Sequence, residues 1–310
     1  MKRDVDNAVQ ALRAGRLVAF PTETVYGLGA DASNAAAVEK LYAVKRRPAD
    51  HPVIVHFDSA ARAFTWAREV PEAAAKLAKK FWPGPLTLVL RRSALARDFV
   101  TGGEDTVGVR VPAHPVAHEL LAAFGGGVAA PSANRFGLVS PTTAAHVRED
   151  LGADVELVLE GGPSEVGIES TILDLSGGKP VLLRPGKITA AEIAAVIGPV
   201  AEKGEDAPRH SGGLERHYAP RTPARLVPTQ DLDGEIAKRK DKVAVLAFSR
   251  PDERVDFWLR MPRDPKAYAH KLYGALRELD SAGCEAILIE SPPNAPEWGA
   301  VLDRLRRACA

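Results

Sequence analysis

The chain has 310 residues, 45% of them apolar, enough for two domains and a sizeable core, which argues against disorder as its main state. Its 41 Lys and Arg against 40 Asp and Glu leave a formal net charge of +1, so no whole-chain field draws it onto nucleic acid or an acidic membrane, and any anion site must be local. Two cysteines, Cys284 and Cys309, are too few for a disulfide framework or a cysteine-based zinc site and suit a reducing compartment.

In chain order, residues 1–6 lack the apolar core of a signal peptide, and no later run approaches ~20 apolar residues, so a soluble, cytoplasmic protein is expected. Residues 4–14 carry Val5, Ala8, Val9 and Leu12 at helical spacing, with Gly15 as a C-cap. A strand at 17–20 stops at Pro21, a loop with two glycines spans 22–29, and a second helix covers 34–44. Short β-like runs follow at 52–57, 86–90, 106–111, 128–130, 155–159, 168–175 and 181–183, with helical stretches at 60–67, 72–81, 115–124 and 142–150. Gly177 and Gly178 turn the last two runs antiparallel, so the sequence predicts an α/β domain with a partly antiparallel sheet. Past a helix at 189–197 the composition shifts to Gly, Pro and charge. The chain therefore divides into 1–198, a linker at 199–223, and a small α/β domain at 224–310 with β-α-β cues at 242–248, 267–279 and 285–289 and a closing helix at 297–308. Neither domain is strongly basic: 22 basic and 22 acidic residues lie within the first 200.

Several segments carry groups suited to chemistry, each with an ordinary structural alternative. PTETVYGLG at 21–29 offers hydroxyls, a carboxylate and a phenol, yet strand-to-helix turns use such residues for geometry alone. It is neither a Walker A loop nor a dinucleotide fingerprint. Lys45, Arg46 and Arg47 either complement a helix dipole or turn two cations into a cleft to meet a polyphosphate. His56 shares a strand face with Ile54, opposite Val53, Val55 and Phe57, as either a core histidine or a ligand contact. In DTVGVRVP at 105–112, Thr106, Gly108 and Arg110 share a face, and Arg110 is either exposed or a buried, paired cation. PSAN at 131–134 brings Ser132 and Asn134 to a strand end. Ser140 also suits an N-cap, Ser170 an ordinary strand position, and Arg184 an exposed strand end.

The order of these motifs matters more than any one of them. PTETVYGLG, KRRP, the His56 strand, DTVGVRVP, PSAN, ESTILDL at 169–175 and LRPG at 183–186 follow one another across about 160 residues, and HYAP stands at 217–220. This series resembles the threonylcarbamoyl-AMP synthase family in its two-domain form. The resemblance implies a YrdC-like twisted mixed sheet with helices, followed by a small Rossmann-like α/β domain. It implies a nucleotidyltransferase reaction in which L-threonine, bicarbonate and ATP, with Mg²⁺, give threonylcarbamoyl-adenylate and pyrophosphate. The product would pass to a transferase that modifies the tRNA adenosine beside the anticodon.

By motif, the resemblance assigns Lys45 and Arg47 to the triphosphate as the catalytic cations. Thr106, Ser132, Asn134, Ser140 and Arg184 join them around ATP, and Thr24, His56, Arg110, the backbone at Ala130 and Ser170 surround threonine, with Arg110 on its carboxylate. Two departures are visible. His51-Pro52-Val53 stands where relatives carry Asn-Pro-Leu, so the His51 imidazole would replace an amide on the nucleotide. The linker holds Ser211-Gly212-Gly213-Leu214-Glu215 instead of Ser-Pro-Gly-Met-Lys, ahead of Arg216-His217-Tyr218. The linker is either a tether that spaces two domains or a lid, with glycines as hinges, His217 and Tyr218 as cover and Tyr218 on ATP. Hydrogenase-maturation carbamoyl transferases, longer and cysteine-rich, fit the length and cysteine count poorly. Even charge and few aromatics disfavour a nucleic-acid-binding module.

Overall fold

Apolar spacing in the first segment builds α1 (Lys2–Arg13), and its buried face of Val5, Ala8, Val9 and Leu12 packs with Val116, Leu120 and Leu121 of α6 (Pro115–Phe124). The computed structural model describes residues 2–204 and 208–310, without the side chain of Lys2. The chain forms two units: residues 1–136, 141–165 and 169–213 make the first, and residues 137–140, 166–168 and 214–310 the second.

The first unit is organised by a sheet of ten strands: β1 (Val18–Phe20), β2 (Gly27–Asp31), β3 (Val55–His56), β4 (Leu86–Arg91), β5 (Thr106–Arg110), β6 (Val128–Ala129), β7 (Leu157–Val158), β8 (Thr171–Asp174), β9 (Val181–Arg184) and β10 (Ala201–Glu202). Their order is β10-β9-β8-β4-β5-β3-β6-β2-β1-β7. The sheet is mixed: β3 with β5 and β4 with β8 run parallel, whereas β4 with β5, β3 with β6, and β8 with β9 run antiparallel. The antiparallel pairing of β8 and β9 is the one expected from Gly177 and Gly178.

Helices α2 (Ala35–Lys45), α3 (Ala60–Thr65), α4 (Glu72–Phe81), α5 (Asp98–Thr101), α7 (Ala144–Leu151) and α8 (Ala190–Ile197) complete the unit. The main core gathers Val53, Val55, Phe57, Leu86, Leu88, Val107, Val109 and Leu173 with α2 and α4 residues such as Leu41 and Leu77. Each such fully buried side chain contributes about 1.5–3 kcal/mol by leaving water. The opposite sheet face carries the smaller cluster Ile54, Val89, Ile172 and Leu183. His56 follows Ile54 on this face by strand alternation. It lies in register with Arg110 of β5 and Val128 of β6.

The loop expected over 22–29 ends early, because Gly27–Asp31 is a strand paired with β1. Small residues are required there: a Cβ on Gly29 would lie 2.9 Å from a Phe20 ring carbon and 3.0 Å from Val128 Cγ1. The region expected as a linker is divided between the units. Residues 201–202 pair with β9, residues 208–213 belong to the first unit, and residues 214–223 to the second. Residues 205–207 of that linker lie outside the described residues.

The second unit holds an all-parallel sheet of β11 (Ala224–Val227), β12 (Val243–Ala247), β13 (Phe257–Arg260) and β14 (Ala286–Glu290) in the order β11-β14-β12-β13. Leu232 and Ile236 of α9 (Leu232–Ala237) pack on Val227, Val243, Val245 and Leu288. The alternate residues Ala244, Leu246, Ile287 and Ile289 are fully buried on the other face, where α10 (Pro265–Asp280) and α11 (Gly299–Ala308) supply Leu272, Leu276 and Leu305. Burial on both faces explains why β12 and β14 read as continuous apolar runs. No helix among the described residues is long and apolar enough to cross a membrane.

Candidate functional site

In the first unit, the cationic triplet separates by geometry. Lys45 ends α2, Arg46 takes the left-handed C-cap with φ 54°, and this reversal leaves Arg46 exposed while Lys45 and Arg47 are both buried. Lys45 Nζ donates to the carbonyls of Ser132 at 2.5 Å and Asn134 at 2.6 Å. Burial, reinforced by the Arg47 charge, pushes the Lys45 ammonium well below its usual range. Arg47 donates to the Pro52 carbonyl at 2.8 Å and stacks over the Phe136 ring at 5.2 Å. The same ring meets His51 at 5.4 Å, so the His-Pro-Val departure is packed beside Arg47. Partial burial, with Arg47 adding repulsion, lowers the His51 pKa, and its Nδ1 has no hydrogen-bond partner among the described residues.

A second group sits around Arg110. The Thr22 hydroxyl donates to the Val25 carbonyl at 2.6 Å and accepts from the amides of Thr24 and Val25, folding the turn after Pro21. That turn presents Glu23 and Thr24 to Arg110, which donates to Glu23 Oε1 at 2.6 Å and to Thr24 Oγ1 at 3.0 Å. All three side chains are buried. The sequence offers the Glu23 carboxylate but not its pairing with Arg110, since the partner lies 87 residues away. His56 is 3% exposed. Burial, aided by the Arg110 charge, lowers its pKa to about 3, so it is a neutral imidazole, and its Nδ1 has no hydrogen-bond partner among the described residues.

A third group joins β8 and β9. Arg184 donates to the Ser170 carbonyl at 3.0 Å, to Ser170 Oγ at 3.2 Å and to the Ser211 carbonyl at 3.0 Å. Ser170 Oγ also lies 2.8 Å from Thr87 Oγ1, a residue the motifs did not indicate. Arg184 is buried rather than an exposed strand end, and Ser211 is tied to the Pro52 carbonyl at 3.0 Å. The backbone of Ala130 is engaged by its amide donating to Ile54 at 3.0 Å. Thr106 stands at the far end of β5, four residues from Arg110 and so roughly 13 Å along the strand.

Ser140 and Tyr218 belong to the second unit. Ser140 is fully buried, and Thr143 rather than Ser140 caps α7. Tyr218 adopts φ 61°, is 1% exposed, and has its ring edge-on to His217 at 4.2 Å and beneath the Arg304 guanidinium at 5.3 Å. The Ala219 amide donates to Gly137 at 2.9 Å and pins this conformation. Within its own unit the Tyr218 ring is core-packed.

Buried cations beside neutral donors, within one unit built on a mixed α/β sheet, describe a module that can take an anionic small molecule. Comparison with known proteins makes this class specific. The family model described as telomere recombination, which spans the Sua5, YciO and YrdC proteins, matches residues 10–186, and that of the threonylcarbamoyl-AMP synthase C-terminal domain matches residues 188–310. A threonylcarbamoyl-AMP synthase of Pyrococcus abyssi is 42% identical over 96% of this chain and 91% of its own length. The crystal structure of Pyrococcus abyssi Sua5 complexed with L-threonine superposes with a TM-score of 0.92, at 40% identity over 98% of this chain and 94% of that one. A shorter threonylcarbamoyl-AMP synthase, from Halorhodospira halophila, is 40% identical over 51% of this chain and 82% of its own length. The chain belongs to the threonylcarbamoyl-AMP synthase family, and its fold is that of the two-domain form.

Proposed function

We propose that this enzyme is an L-threonylcarbamoyladenylate synthase, a cytoplasmic nucleotidyltransferase that consumes L-threonine, bicarbonate and ATP. The observation that carries the reading is the presence, within one unit, of a buried Arg110 on Thr24 beside neutral His56, together with Lys45 and Arg47 buried on either side of an exposed Arg46. The relative solved with L-threonine supports the amino-acid half of it.

The threonine amine and bicarbonate condense to a carbamate with loss of water. A carbamate oxygen then attacks the α-phosphorus of ATP, and pyrophosphate leaves. No covalent enzyme intermediate is required, so the protein's work is positioning and charge neutralisation. Arg110 pairs the threonine carboxylate while Glu23 and Thr24 fix its guanidinium. Thr24, Ser170, the Ala130 backbone and the neutral His56 imidazole hold the remaining polar groups. His56 serves as a hydrogen-bonding partner rather than a cation.

Lys45, Arg47 and Arg184 meet the phosphates, with Thr106, Ser132, Asn134 and His51 of the same unit completing the ATP contacts. ATP carries about four negative charges, and burial has weakened the hold of Lys45 on its proton, so an arriving phosphate stabilises the ammonium form. Mg²⁺ suits this site as part of MgATP: among the described residues no group of three His, Cys, Asp or Glu gathers to cage it, so phosphate oxygens would hold it. Bound there, the ion supplies charge neutralisation at the phosphates. The adenylate then passes to a transferase that modifies the tRNA adenosine beside the anticodon.

The decisive assay is pyrophosphate release from MgATP with threonine and bicarbonate supplied singly and together. Release should need both. Serine should be poorer, because the missing methyl forfeits roughly 0.8 kcal/mol or somewhat more of apolar burial. Equal release with threonine omitted would overturn the reading.

A further inference from the structure

The second unit has a cavity that the chemistry above does not use. The Halorhodospira relative of the same name matches only 51% of this chain. The cavity, of about 450 Å³, lies at the carboxyl ends of the parallel strands, between the segments that follow β11, β12 and β14. The order β11-β14-β12-β13 sends the chain from β11 past β14 to β12, then back from β13 to β14. Connections therefore leave adjacent strands toward opposite faces, α9 after β11 and α11 after β14. In open α/β sheets this switch point is where a crevice opens for a ligand.

The polar groups of the crevice are already arranged. Glu290, at the end of β14, is buried and fully engaged: Oε1 accepts from the Thr229 hydroxyl at 2.9 Å and Oε2 from the Phe248 amide at 2.7 Å. Asp233 likewise accepts from the amides of Asp252 and Glu253. Both acidic groups thus serve to fix loops. The two guanidiniums at the mouth do not: among the described residues neither Arg250 nor Arg263 has a carboxylate partner. Arg263 is nevertheless held in place, stacked over Phe248 at 5.3 Å and donating to Ser249 Oγ at 3.2 Å. Apolar wall is supplied by Phe248, Pro251 and Pro292.

We propose that this crevice binds a small phosphorylated molecule of the mononucleotide class. Its phosphate is taken by the forks of Arg263 and Arg250 with the Ser249 hydroxyl, and its ring lies against the proline and Phe248 wall. Two forked donors match the three terminal oxygens of a phosphate monoester better than the two of a carboxylate. The site is separate from the ATP contacts assigned above and does not depend on them.

Calorimetric titration of the full chain with AMP, and with inorganic phosphate as competitor, tests the proposal in three proteins: unaltered, Lys45→Ala/Arg47→Ala, and Arg250→Ala/Arg263→Ala. A saturable AMP site should persist in the Lys45/Arg47 variant, yield to phosphate, and weaken at least tenfold in the Arg250/Arg263 variant. The Arg250/Arg263 variant should keep its pyrophosphate release. Arg263→Lys, which keeps the charge and loses the fork, should weaken AMP by a smaller factor and guards against a folding defect. AMP binding that vanishes with Lys45 and Arg47 and ignores Arg250 and Arg263 would overturn the proposal while leaving the synthase reading intact. Binding of tRNA alone at Arg250 and Arg263, without AMP or phosphate, would also overturn it.

Discussion

The Arg110 guanidinium and the Glu23 carboxylate form a sealed pair, 2.6 Å apart with side chains 4% and 6% exposed, and the second Glu23 oxygen is held by the Ala113 amide at 3.1 Å. Removing one partner leaves a buried charge alone, which costs about 3–5 kcal/mol, so a loss of ligand binding in a single variant is entangled with a loss of stability. The two effects separate in a double variant. Arg110→Ala should weaken threonine by about 2–5 kcal/mol and leave ATP nearly unchanged. Glu23→Gln/Arg110→Gln, which removes both charges, should recover most of the stability and none of the threonine affinity. Denaturant unfolding and calorimetry read the two quantities, and recovered threonine affinity in the double variant would refute the assigned contact.

Why the sequence shows the Glu23 carboxylate without its role is a matter of range. Arg110 sits in a run of valines that announces a strand, whereas nothing local to Glu23 points to a partner 87 residues on. The triplet 45–47 was legible as cationic and ambiguous in direction. The left-handed turn at Arg46 resolves it, and no side-chain pattern foretells such a turn at an arginine. Helices 72–81 and 115–124 follow their apolar spacing to the residue. Strand 27–31 does not, because Gly27, Gly29 and Ala30 are chosen for close approach and carry no β propensity. The second unit's strands at 224–227 and 257–260 were missed for another reason: both are short and partly exposed, so they lack the continuous apolar run of β12.

Burial holds the Lys45 pKa well below its usual value, and bound phosphate would raise it again. Between those two values the ATP complex carries more protons than the free protein. ATP affinity should therefore fall as pH rises through that window, and binding should take up protons. Calorimetry in two buffers of different ionisation enthalpy measures the uptake directly. Lys45→Arg, charged throughout, should abolish it; undiminished uptake in that variant would remove Lys45 from the phosphate site.

His56 has its pKa lowered to about 3 in the folded chain, against 6.5 as the ordinary value. The unfolded chain therefore binds more protons between these values, and the stability due to this residue is complete above pH 6.5 and lost as pH falls toward 3. The slope approaches ~1.4 kcal/mol per pH unit. Above pH 4.5, where most carboxylates are still ionised, unfolding free energies of the native chain should decline on acidification more steeply than those of His56→Gln. Parallel curves for the two proteins would show that His56 is not the buried neutral group described.

Arg209 ties the segment 208–213 to the rest of the first unit. It donates to Glu104 at 2.5 Å, to Asp50 at 3.1 Å and to the Gly102 carbonyl at 3.1 Å, while Ser211, next along, joins Pro52 to Arg184. The Arg209 side chain is 49% exposed, so its ion pairs are screened by solvent and salt and hold only weakly. The buried Arg184 contact is the stronger half of the attachment. The segment should thus loosen in two stages. Arg209→Ala should speed amide hydrogen exchange across 208–213 by a few-fold, and high salt should do nearly the same to the unaltered chain. Arg184→Ala should speed it further and weaken ATP as well. Exchange that is insensitive to both salt and Arg209→Ala would mean that Ser211 and Arg184 alone hold the segment down.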